Sequence, residues 1–299
     1  MKVLIIIVSY NFERWIDRCL GSLRKSETSQ ADVVVIDNAS QDQTVQRIRQ
    51  DYPEVRLVET GANLGFGRAN NIGMQMAIQE GYEAVFLLNQ DAWIEPDTLD
   101  KLVVLAQKHP EFGIFSPVHL TGKGDKLDPG FSHYSQVKEK KQLPSNDIVS
   151  VPFVNAAFWM IPVSVLKVIG GFCPLFYHYG EDKDYVNRLE YHHYQVGYAP
   201  AAFGYHDREY RPITHEGFLR NEYVYHLSEY ANVNYSWPEA FGYGVLALVK
   251  KSFTALAKGD IRLSKEYLRM TFRLLSQSCA IHSCRKRNRL SNPHYIQDL

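Results

Sequence analysis

Short apolar runs without polar alternation occur three times in the first third of this chain. They are rich in β-branched residues, as is typical of strands that are covered on both faces of a parallel sheet. Around them, apolar residues recur every three or four positions, which is the period of an amphipathic helix. This alternation predicts an α/β fold with a mostly parallel central sheet flanked by helices. The runs span residues 3–8, 33–36 and 85–88, and the helical patterns include Trp15, Cys19 and Leu23, then Val45, Ile48 and Tyr52, then Ile72 and Met76, then Leu99, Leu102 and Ala106.

Polar side chains follow each of these runs. Ser9 and Tyr10 come after the first run, Asp37 after the second, and Asn89 and Asp91 after the third. The carboxyl ends of parallel strands meet at one edge of a sheet, and open α/β sheets bind their ligands there. The pattern therefore predicts one binding site at this edge.

A dense group of carboxylates lies further along the chain, at Glu181, Asp182 and Asp184. Like charges this close repel one another unless a ligand, a cation or Arg188 compensates them. Residues 181–193 have a helical pattern, in which the helix dipole favours acids in the first turn and Asp184 faces Arg188 four residues later. We interpret the group as part of an enzyme active site, with an acid-rich helix start as the alternative.

Turn-forming residues divide the rest of the chain. Residues 121–150 are rich in Lys, Gly, Asp and Ser and predict a mobile loop or irregular hairpin. Residues 151–161 and 195–205 are predicted strands, and helical patterns continue from Thr214 onward. We predict a domain at residues 1–213, made of the βα repeats at 1–120 and a second half at 121–213 that carries the carboxylate group, followed by a helical extension at 214–299.

The formal net charge is zero, but the basic residues are unevenly placed. Residues 250–289 contain eleven Lys and Arg against two acids. In and just before this stretch, apolar residues recur at helical spacing at Val245, Val249, Phe253 and Leu256. Basic residues beside such an apolar stripe are typical of amphipathic helices that lie on a membrane surface. We expect this extension to meet an anionic phospholipid surface and not nucleic acid; docking on the catalytic body or on a partner subunit in a homo-oligomer is the alternative.

No run approaches the roughly 18 consecutive apolar residues of a membrane span, and the N-terminus opens on a predicted strand in place of a signal peptide. We therefore expect a cytoplasmic protein held peripherally on the inner face of the cytoplasmic membrane. The four cysteines are scattered, as reduced thiols are. Cys279, His282 and Cys284 lack a second ligand pair nearby, so a zinc site is not expected there.

Six short motifs occur in an order and spacing similar to those of the inverting family 2 glycosyltransferases. The resemblance covers residues 1 to about 210. It implies the GT-A fold, a nucleotide-sugar donor and a divalent metal, and within the family the chain most resembles the bacterial rhamnosyltransferase-like branch that builds surface polysaccharides. The resemblance also implies that 1–120 is the nucleotide-binding half and 121–213 the acceptor and catalytic half of a catalytic domain at 1–213. The motifs are Ser9-Tyr10-Asn11, Asp37-Asn38-Ala39-Ser40-Gln41-Asp42, Asn63-Leu64-Gly65-Phe66-Gly67-Arg68-Ala69-Asn70-Asn71-Ile72-Gly73, Leu88-Asn89-Gln90-Asp91, Gly170-Gly171-Phe172 and Gly180-Glu181-Asp182-Lys183-Asp184.

The resemblance implies that the strand-end residues hold the donor. Tyr10 would stack on the base, and Asp37 would accept the imide N–H of uracil or thymine, which adenine lacks; a UDP or dTDP sugar is therefore implied. Arg68 would meet the diphosphate near a helix start. An Asx turn is the alternative for Asp37, and a solvated arginine is the alternative for Arg68. The implied donor-binding set is Ser9, Tyr10, Asn11, Asp37, Asn38, Arg68, Asn89 and Gln90.

Asp91 and His206 match the metal ligands of the family. Mn²⁺ or Mg²⁺ prefers carboxylate and phosphate oxygens and would neutralise the departing nucleoside diphosphate. Asn89 stands where the family's Asp-x-Asp pair has its first acid, which lowers the negative charge available to the ion. A structural histidine is the alternative for His206.

Asp182 matches the family's catalytic base, which must lie within reach of the acceptor hydroxyl. Glu181, Tyr177 and Tyr179 are the implied acceptor-binding residues. The function expected from the whole pattern is transfer of a sugar, rhamnose from dTDP-rhamnose or another UDP or dTDP sugar, onto a glycan or polyprenyl-diphosphate-linked acceptor in bacterial surface polysaccharide synthesis. The alternative is a non-catalytic sugar-nucleotide or polysaccharide-binding relative, in which Asn89 marks lost metal chemistry.

Overall fold

A computed structural model describes residues 1–26, 30–208 and 214–296. In this part of the chain, nine strands form one sheet with helices on both faces. The strands are β1 Val3–Ser9, β2 Ala31–Asp37, β3 Arg56–Glu59, β4 Ala84–Asn89, β5 Ala92–Ile94, β6 Phe112–Thr121, β7 Val149–Ser150, β8 Phe158–Pro162 and β9 Gln195–His206.

The helices follow the predicted alternation in the first half and then gather at the C-terminal end. The helices are α1 Ile16–Arg24, α2 Thr44–Asp51, α3 Phe66–Gln79, α4 Thr98–Lys108, α5 Pro129–Ser135, α6 Val163–Ile169, α7 Glu181–Tyr191, α8 His215–Ala231, α9 Trp237–Phe241, α10 Ala247–Ala257, α11 Ile261–Ser276 and α12 Ser278–Asn288.

The sheet has a parallel half and a mixed half. Strands β3, β2, β1 and β4 are neighbours in that order and all run parallel. Beyond β4 the order continues through β8, β6, β9 and β5, where β8 is antiparallel to both of its neighbours and β6 runs parallel to β9. The α/β expectation is confirmed, with the parallel pairing concentrated in the N-terminal half.

Two apolar cores cover the faces of the sheet. Successive side chains of a strand point to opposite faces, so Leu4 and Ile6 pack into one core while Val3, Ile5 and Ile7 pack into the other. Each of these five side chains is at most 1% exposed. Burial on both faces explains why the β1 sequence is apolar without alternation.

The segment between β6 and β8 differs from its prediction. Residues 121–150 contain helix α5, which begins where the Asp128 side chain accepts from the Phe131 N–H at 3.0 Å. Phe131 is fully buried, with its ring centroid 5.4 Å from that of His119. Residues 129–135 are therefore a packed helix, whereas residues 121–127 form a turn closed by the Leu120–Leu127 bridge and residues 138–147 are largely exposed, so the predicted loop or irregular hairpin fails only at α5. The strand predicted at residues 151–161 is also shorter, because β8 begins only at Phe158.

A third core joins the C-terminal helices to the body of the molecule. Tyr230 of α8 and Leu274 of α11 pack in it with Cys173 and Phe176 from the segment before α7. The predicted domain boundary at 213/214 falls beside residues 209–213, which lie outside the described residues. None of the helices in the described ranges is both long and apolar enough to cross a membrane.

Candidate active site

The parallel register gathers the first group of predicted residues at one edge. Ser9 is paired with Asp37, and Val8 is paired with Asn89. The Ser9 hydroxyl donates to Asp37 Oδ1 at 2.8 Å, and both residues are buried. The prediction that these residues meet at the carboxyl ends of the strands is confirmed.

Asp37 is held by its own loop as well as by Ser9. Its Oδ2 accepts from the Ser40 backbone N–H at 3.0 Å, and its Oδ1 accepts from the Ser40 hydroxyl. The turn that was the alternative for Asp37 is therefore present. A carboxylate has about four acceptor positions, so the turn does not use all of them.

Tyr10 is 46% exposed, and the side chain of Gln90 holds its backbone in place. The Gln90 side chain accepts from the Tyr10 N–H at 2.8 Å and donates to the Tyr10 carbonyl at 3.2 Å. Asn11, at a φ of 54°, accepts from the Gln41 N–H at 2.8 Å through its side chain. Gln90 thus positions Tyr10, a role that the sequence did not indicate.

Asn38 connects this edge to the loop before α3. It donates to the Gly65 carbonyl at 3.3 Å and accepts from the Leu64 N–H at 3.3 Å. Gly65 has a φ of 80°, and a Cβ on it would come within 2.3 Å of the Tyr177 carbonyl oxygen. Only glycine fits there, so the loop brings Tyr177 next to the strand-end residues.

Asp91 and His206 come together because β5 pairs with β9. Ala92 is opposite His206, and Asp91 Oδ1 lies 3.3 Å from His206 Nε2. His206 is 4% exposed, and its Nδ1 accepts from Arg208 Nε at 3.1 Å. Arg208 also lies 3.5 Å from Asp128, an interaction that the sequence analysis missed.

The Asp91 and His206 pair fits part of a metal shell. Adjacent ligands around an octahedral Mg²⁺ lie about 3 Å apart, close to the 3.3 Å between Asp91 Oδ1 and His206 Nε2. No group of three or more His, Cys, Asp or Glu side chains among the described residues is arranged to hold a metal ion. Further ligands would have to come from a bound molecule or from water.

The acids of α7 have three different environments. Glu181 is 6% exposed, and its Oε2 has no hydrogen-bond partner among the described residues. Burial together with the neighbouring Asp182 raises the pKa of Glu181 to about 8. Asp182 is half-buried and accepts from the Lys183 N–H at 2.8 Å. Burial also raises the pKa of the Asp182 carboxyl, against the opposing effects of the Lys183 N–H and the Arg208 charge.

Asp184 belongs to the structure of the helix. Its Oδ2 accepts from Arg188 Nε at 2.9 Å, as the four-residue spacing predicted, and both side chains are buried. The guanidinium of Arg188 also donates to the carbonyls of Ile169 at 2.7 Å and Gly171 at 2.8 Å. The Asp184–Arg188 ion pair fixes the start of α7 to the Gly170-Gly171 turn. Glu181 and Asp182, the other two acids of the first turn, form no such ion pair with a described residue.

A cleft of about 790 Å³ opens at this edge. Its walls contain about half of the predicted site residues, namely Tyr10, Asn38, Asn89, Gln90, Asp91, Tyr177 and Tyr179. Ser9, Asn11, Asp37, Arg68, Glu181, Asp182 and His206 lie outside its walls.

The far wall of the cleft comes from the helical extension. Arg220 and Tyr223 on α8, Arg273 on α11 and Gln277 directly after α11 line it together with Tyr179. The sequence gives no signal for these residues, because their place in the cleft depends on how the extension packs on the body. Arg68, by contrast, is exposed on the first turn of α3.

Comparisons with known proteins agree with this geometry. The sequence model of "Glycosyl transferase family 2" matches residues 4–170, which is more than half of the chain. The N-acetylglucosaminyl-diphospho-decaprenol L-rhamnosyltransferase of Mycobacterium tuberculosis is 27% identical over 232 residues, covering 66% of this chain and 73% of that protein.

Two solved structures share the fold. TarS of S. aureus in complex with UDP-GlcNAc is 13% identical, with a TM-score of 0.59 over 100% of this chain and 91% of TarS. GalNAc-T7 with UDP, GalNAc and Mn²⁺ is 15% identical, with a TM-score of 0.60 over 97% of this chain and 59% of that one. Identities this low show the fold alone, and the fold is GT-A, as the resemblance implied.

Proposed function

The chain belongs to glycosyl transferase family 2, and we propose on this premise that it transfers a sugar from a UDP or dTDP donor to a glycan acceptor with inversion at the anomeric carbon. The observation that carries the proposal is the cleft itself. Its walls include Tyr10 and Asp91 at the strand ends together with Tyr177 and Tyr179 from the segment before α7, so the residues assigned to donor and acceptor line one common space.

The donor base would stack on the exposed ring of Tyr10, whose backbone Gln90 holds in place. Asp37 would accept the imide N–H of the base beside its bond to Ser9, while Asn11 and Asn38 shape the two loops around it. Arg68, exposed on the first turn of α3, would reach the diphosphate. This division supports 1–120 as the nucleotide-binding half of a catalytic domain at 1–213.

Asp91 and His206 would hold the divalent metal, with Asn89 beside them as a neutral neighbour. A bound Mn²⁺ or Mg²⁺ supplies charge stabilisation to the departing nucleoside diphosphate. A neutral histidine that holds a metal through Nε2 carries its proton on Nδ1, so holding the metal in this way would require Arg208 to give up its hydrogen bond to Nδ1.

Asp182 would act as the general base. It takes the proton of the acceptor hydroxyl as the hydroxyl oxygen bonds to the anomeric carbon and the bond from that carbon to the diphosphate oxygen breaks. Burial raises the pKa of its carboxyl, which makes it a stronger proton acceptor than an exposed aspartate. Glu181, with a pKa of about 8, stays largely protonated at neutral pH and can donate a hydrogen bond that orients the acceptor.

The acceptor we propose is a polyprenyl-diphosphate-linked glycan of bacterial surface polysaccharide synthesis, with rhamnose as the transferred sugar. The support is the similarity to the mycobacterial L-rhamnosyltransferase and an exposed apolar surface on the helical extension at 214–299. On α10 and α11, Phe253 is 67% exposed and Phe272 is 69% exposed. Such side chains would hold the enzyme peripherally on the inner face of the membrane, with a partner subunit in a homo-oligomer as the alternative occupant.

Nucleotide-sugar transfer in the presence of Mn²⁺ tests the proposal. We expect turnover of a dTDP or UDP sugar and a product with inverted anomeric configuration by NMR. The second candidate is a non-catalytic binding protein, favoured by Asn89 in place of a carboxylate. That candidate predicts that donor binds and raises the melting temperature without any turnover across a panel of acceptors and metals.

A further inference from the structure

Two arginines from the helical extension line the cleft and have no carboxylate partner among the described residues. Arg220 on α8 and Arg273 on α11 line the same cleft as the strand-end residues Tyr10 and Asp91. Both side chains are exposed, and neither forms an ion pair with a described residue. Glu222, the acid nearest to Arg220 along α8, instead pairs with Lys251.

Aromatic rings orient both guanidinium groups. Arg220 lies 5.3 Å from the centroid of the Tyr179 ring, and Arg273 lies 4.2 Å from the centroid of the Tyr223 ring. The Tyr223 hydroxyl donates to Gln277 at 2.9 Å, which fixes the ring under Arg273. Stacking of this kind holds the planar donor fork of arginine in place while its N–H groups stay available.

This combination is the chemistry of phosphate recognition. Arginine donors match phosphate oxygens in pairs, and charge-assisted hydrogen bonds of this type are about twice as strong as neutral ones. Asp91 is the one Asp or Glu among the described residues lining the cleft. The proposed function assigns it to the divalent metal beside the nucleotide. The two arginines therefore make the far wall positive.

We propose that Arg220 and Arg273 bind the phosphate groups of the acceptor, so that the helical extension completes the acceptor site. The inference rests on the proposed function, which names a diphosphate-linked glycan as the acceptor, and adds to it the residues that hold the acceptor's phosphate groups. The position next to Tyr179 favours the acceptor over the donor as the source of the phosphate.

A direct binding experiment tests the site without requiring turnover. The protein is first saturated with UDP, and binding of inorganic pyrophosphate is then measured by calorimetry on the wild type, on Arg220→Gln, on Arg273→Gln and on the double variant. We expect pyrophosphate to bind the wild type, each single variant to bind roughly 10-fold more weakly, and the double variant to show no measurable binding, because each change removes a charge-assisted contact.

Arg269→Gln is the matched control, since Arg269 lies on the same helix but pairs with Glu266. Equal pyrophosphate affinity in the wild type and the double variant overturns the inference.

Kinetics then distinguish the acceptor from the donor. We expect the double variant to raise KM for a diphosphate-linked glycan by roughly 10-fold or more, while KM for the same glycan without phosphate and the Kd for UDP stay unchanged. A loss of UDP affinity with an unchanged acceptor KM would assign the arginines to the donor and refute the proposal. If the wild type transfers no sugar at all, the proposed function fails while the pyrophosphate result still decides the anion site.

Discussion

Asp91 and His206 lie far apart in the sequence, yet Asp91 Oδ1 is 3.3 Å from His206 Nε2. The contact follows from strand pairing, since Ala92 of β5 is opposite His206 of β9 and the Asp207 N–H donates to the Asp91 carbonyl at 2.8 Å. A backbone ladder therefore fixes the spacing of the two side chains before any ion binds. Such preorganisation is what a metal site needs from its protein ligands.

The first prediction concerns this pair. Asp91→Ala and His206→Ala should each raise the Mn²⁺ concentration needed for half-maximal activity by about 10-fold or more, because each removes one ligand of a shell that has few protein ligands. Mn²⁺ binding followed by electron paramagnetic resonance in the presence of UDP should weaken in parallel. Asp207→Asn is the control, since Asp207 accepts from Trp15 Nε1 at 3.0 Å and is not one of the two ligands. Unchanged metal dependence in both variants would favour a metal-independent enzyme.

The second prediction concerns the base. Asp182→Asn should lower kcat by about 10²-fold or more, because the carboxamide cannot accept the hydroxyl proton. The Kd for the donor nucleotide should stay nearly constant, because the proposed function places Asp182 on the acceptor hydroxyl and not among the residues that bind the donor nucleotide. Glu190→Gln, at the other end of α7, serves as the control. Near-wild-type turnover of Asp182→Asn would remove this residue from the role.

The third prediction concerns pH. The pKa of Glu181 is about 8 in the folded protein against an ordinary 4.5, so between these values the folded state binds more protons than the unfolded state. Stability contributed by this group therefore falls as pH rises through that window. Glu181→Gln cannot ionise and should gain stability relative to wild type on going from about pH 5 to about pH 9, by up to a few kcal/mol at about 1.4 kcal/mol per pKa unit.

Urea unfolding of both proteins at the two pH values measures this gain. Only the pH dependence of the difference is diagnostic, because a glutamine amide left unpaired in the pocket would destabilise the variant equally at both values. A difference in unfolding free energy that does not change with pH would show that Glu181 ionises normally.

The fourth prediction concerns Gln90, which bonds both backbone groups of Tyr10. Gln90→Ala should raise the Kd for UDP about 3- to 10-fold, since two hydrogen bonds of about 1 kcal/mol each position the stacking ring. Gln90→Glu keeps the acceptor but loses the donor and should fall between wild type and Gln90→Ala. Tyr10→Phe keeps the ring and should bind UDP as the wild type does. If Gln90→Ala binds UDP normally, the position of Tyr10 does not depend on Gln90.

The strand-end part of the site was predictable from sequence for a topological reason. Parallel strands covered on both faces have a recognisable composition, and their carboxyl ends must share an edge, so Asp37 and Asn89 could be placed together. The Asp184 and Arg188 pair was predictable because both residues lie on one helix at a fixed spacing.

The far wall of the cleft could not be predicted in this way. Arg220 and Arg273 reach it through the packing of α8 and α11 on the body, and long-range packing leaves no periodic signal in the sequence. The apolar stripe that runs from Val245 into α10 shows the same limit. Helical spacing placed Val245 and Phe253 on one line, but Val245 is 2% exposed in the third core and Phe253 is 67% exposed. Spacing alone does not tell which part of a stripe docks on the body and which part faces outward.

The last prediction uses this outward part of the extension. Phe253 and Phe272 stand exposed near Lys250, Lys258 and other basic residues, a combination suited to an anionic bilayer surface. Removing the whole extension would be a poor test, because α8 and α11 also form the third core and the cleft wall. The double variant Phe253→Ser/Phe272→Ser changes only exposed side chains and should leave the melting temperature nearly unchanged.

We expect the wild type to co-sediment with vesicles containing anionic phospholipid and to be released by salt, since each basic residue at such a surface contributes about 1 kcal/mol. The double variant should remain largely in the supernatant, as should the wild type with vesicles of neutral lipid. If both proteins stay in the supernatant with anionic vesicles at low salt, the surface does not bind membrane. A double variant that then loses the wild type's oligomeric state by light scattering would assign Phe253 and Phe272 to an interface between copies of the chain.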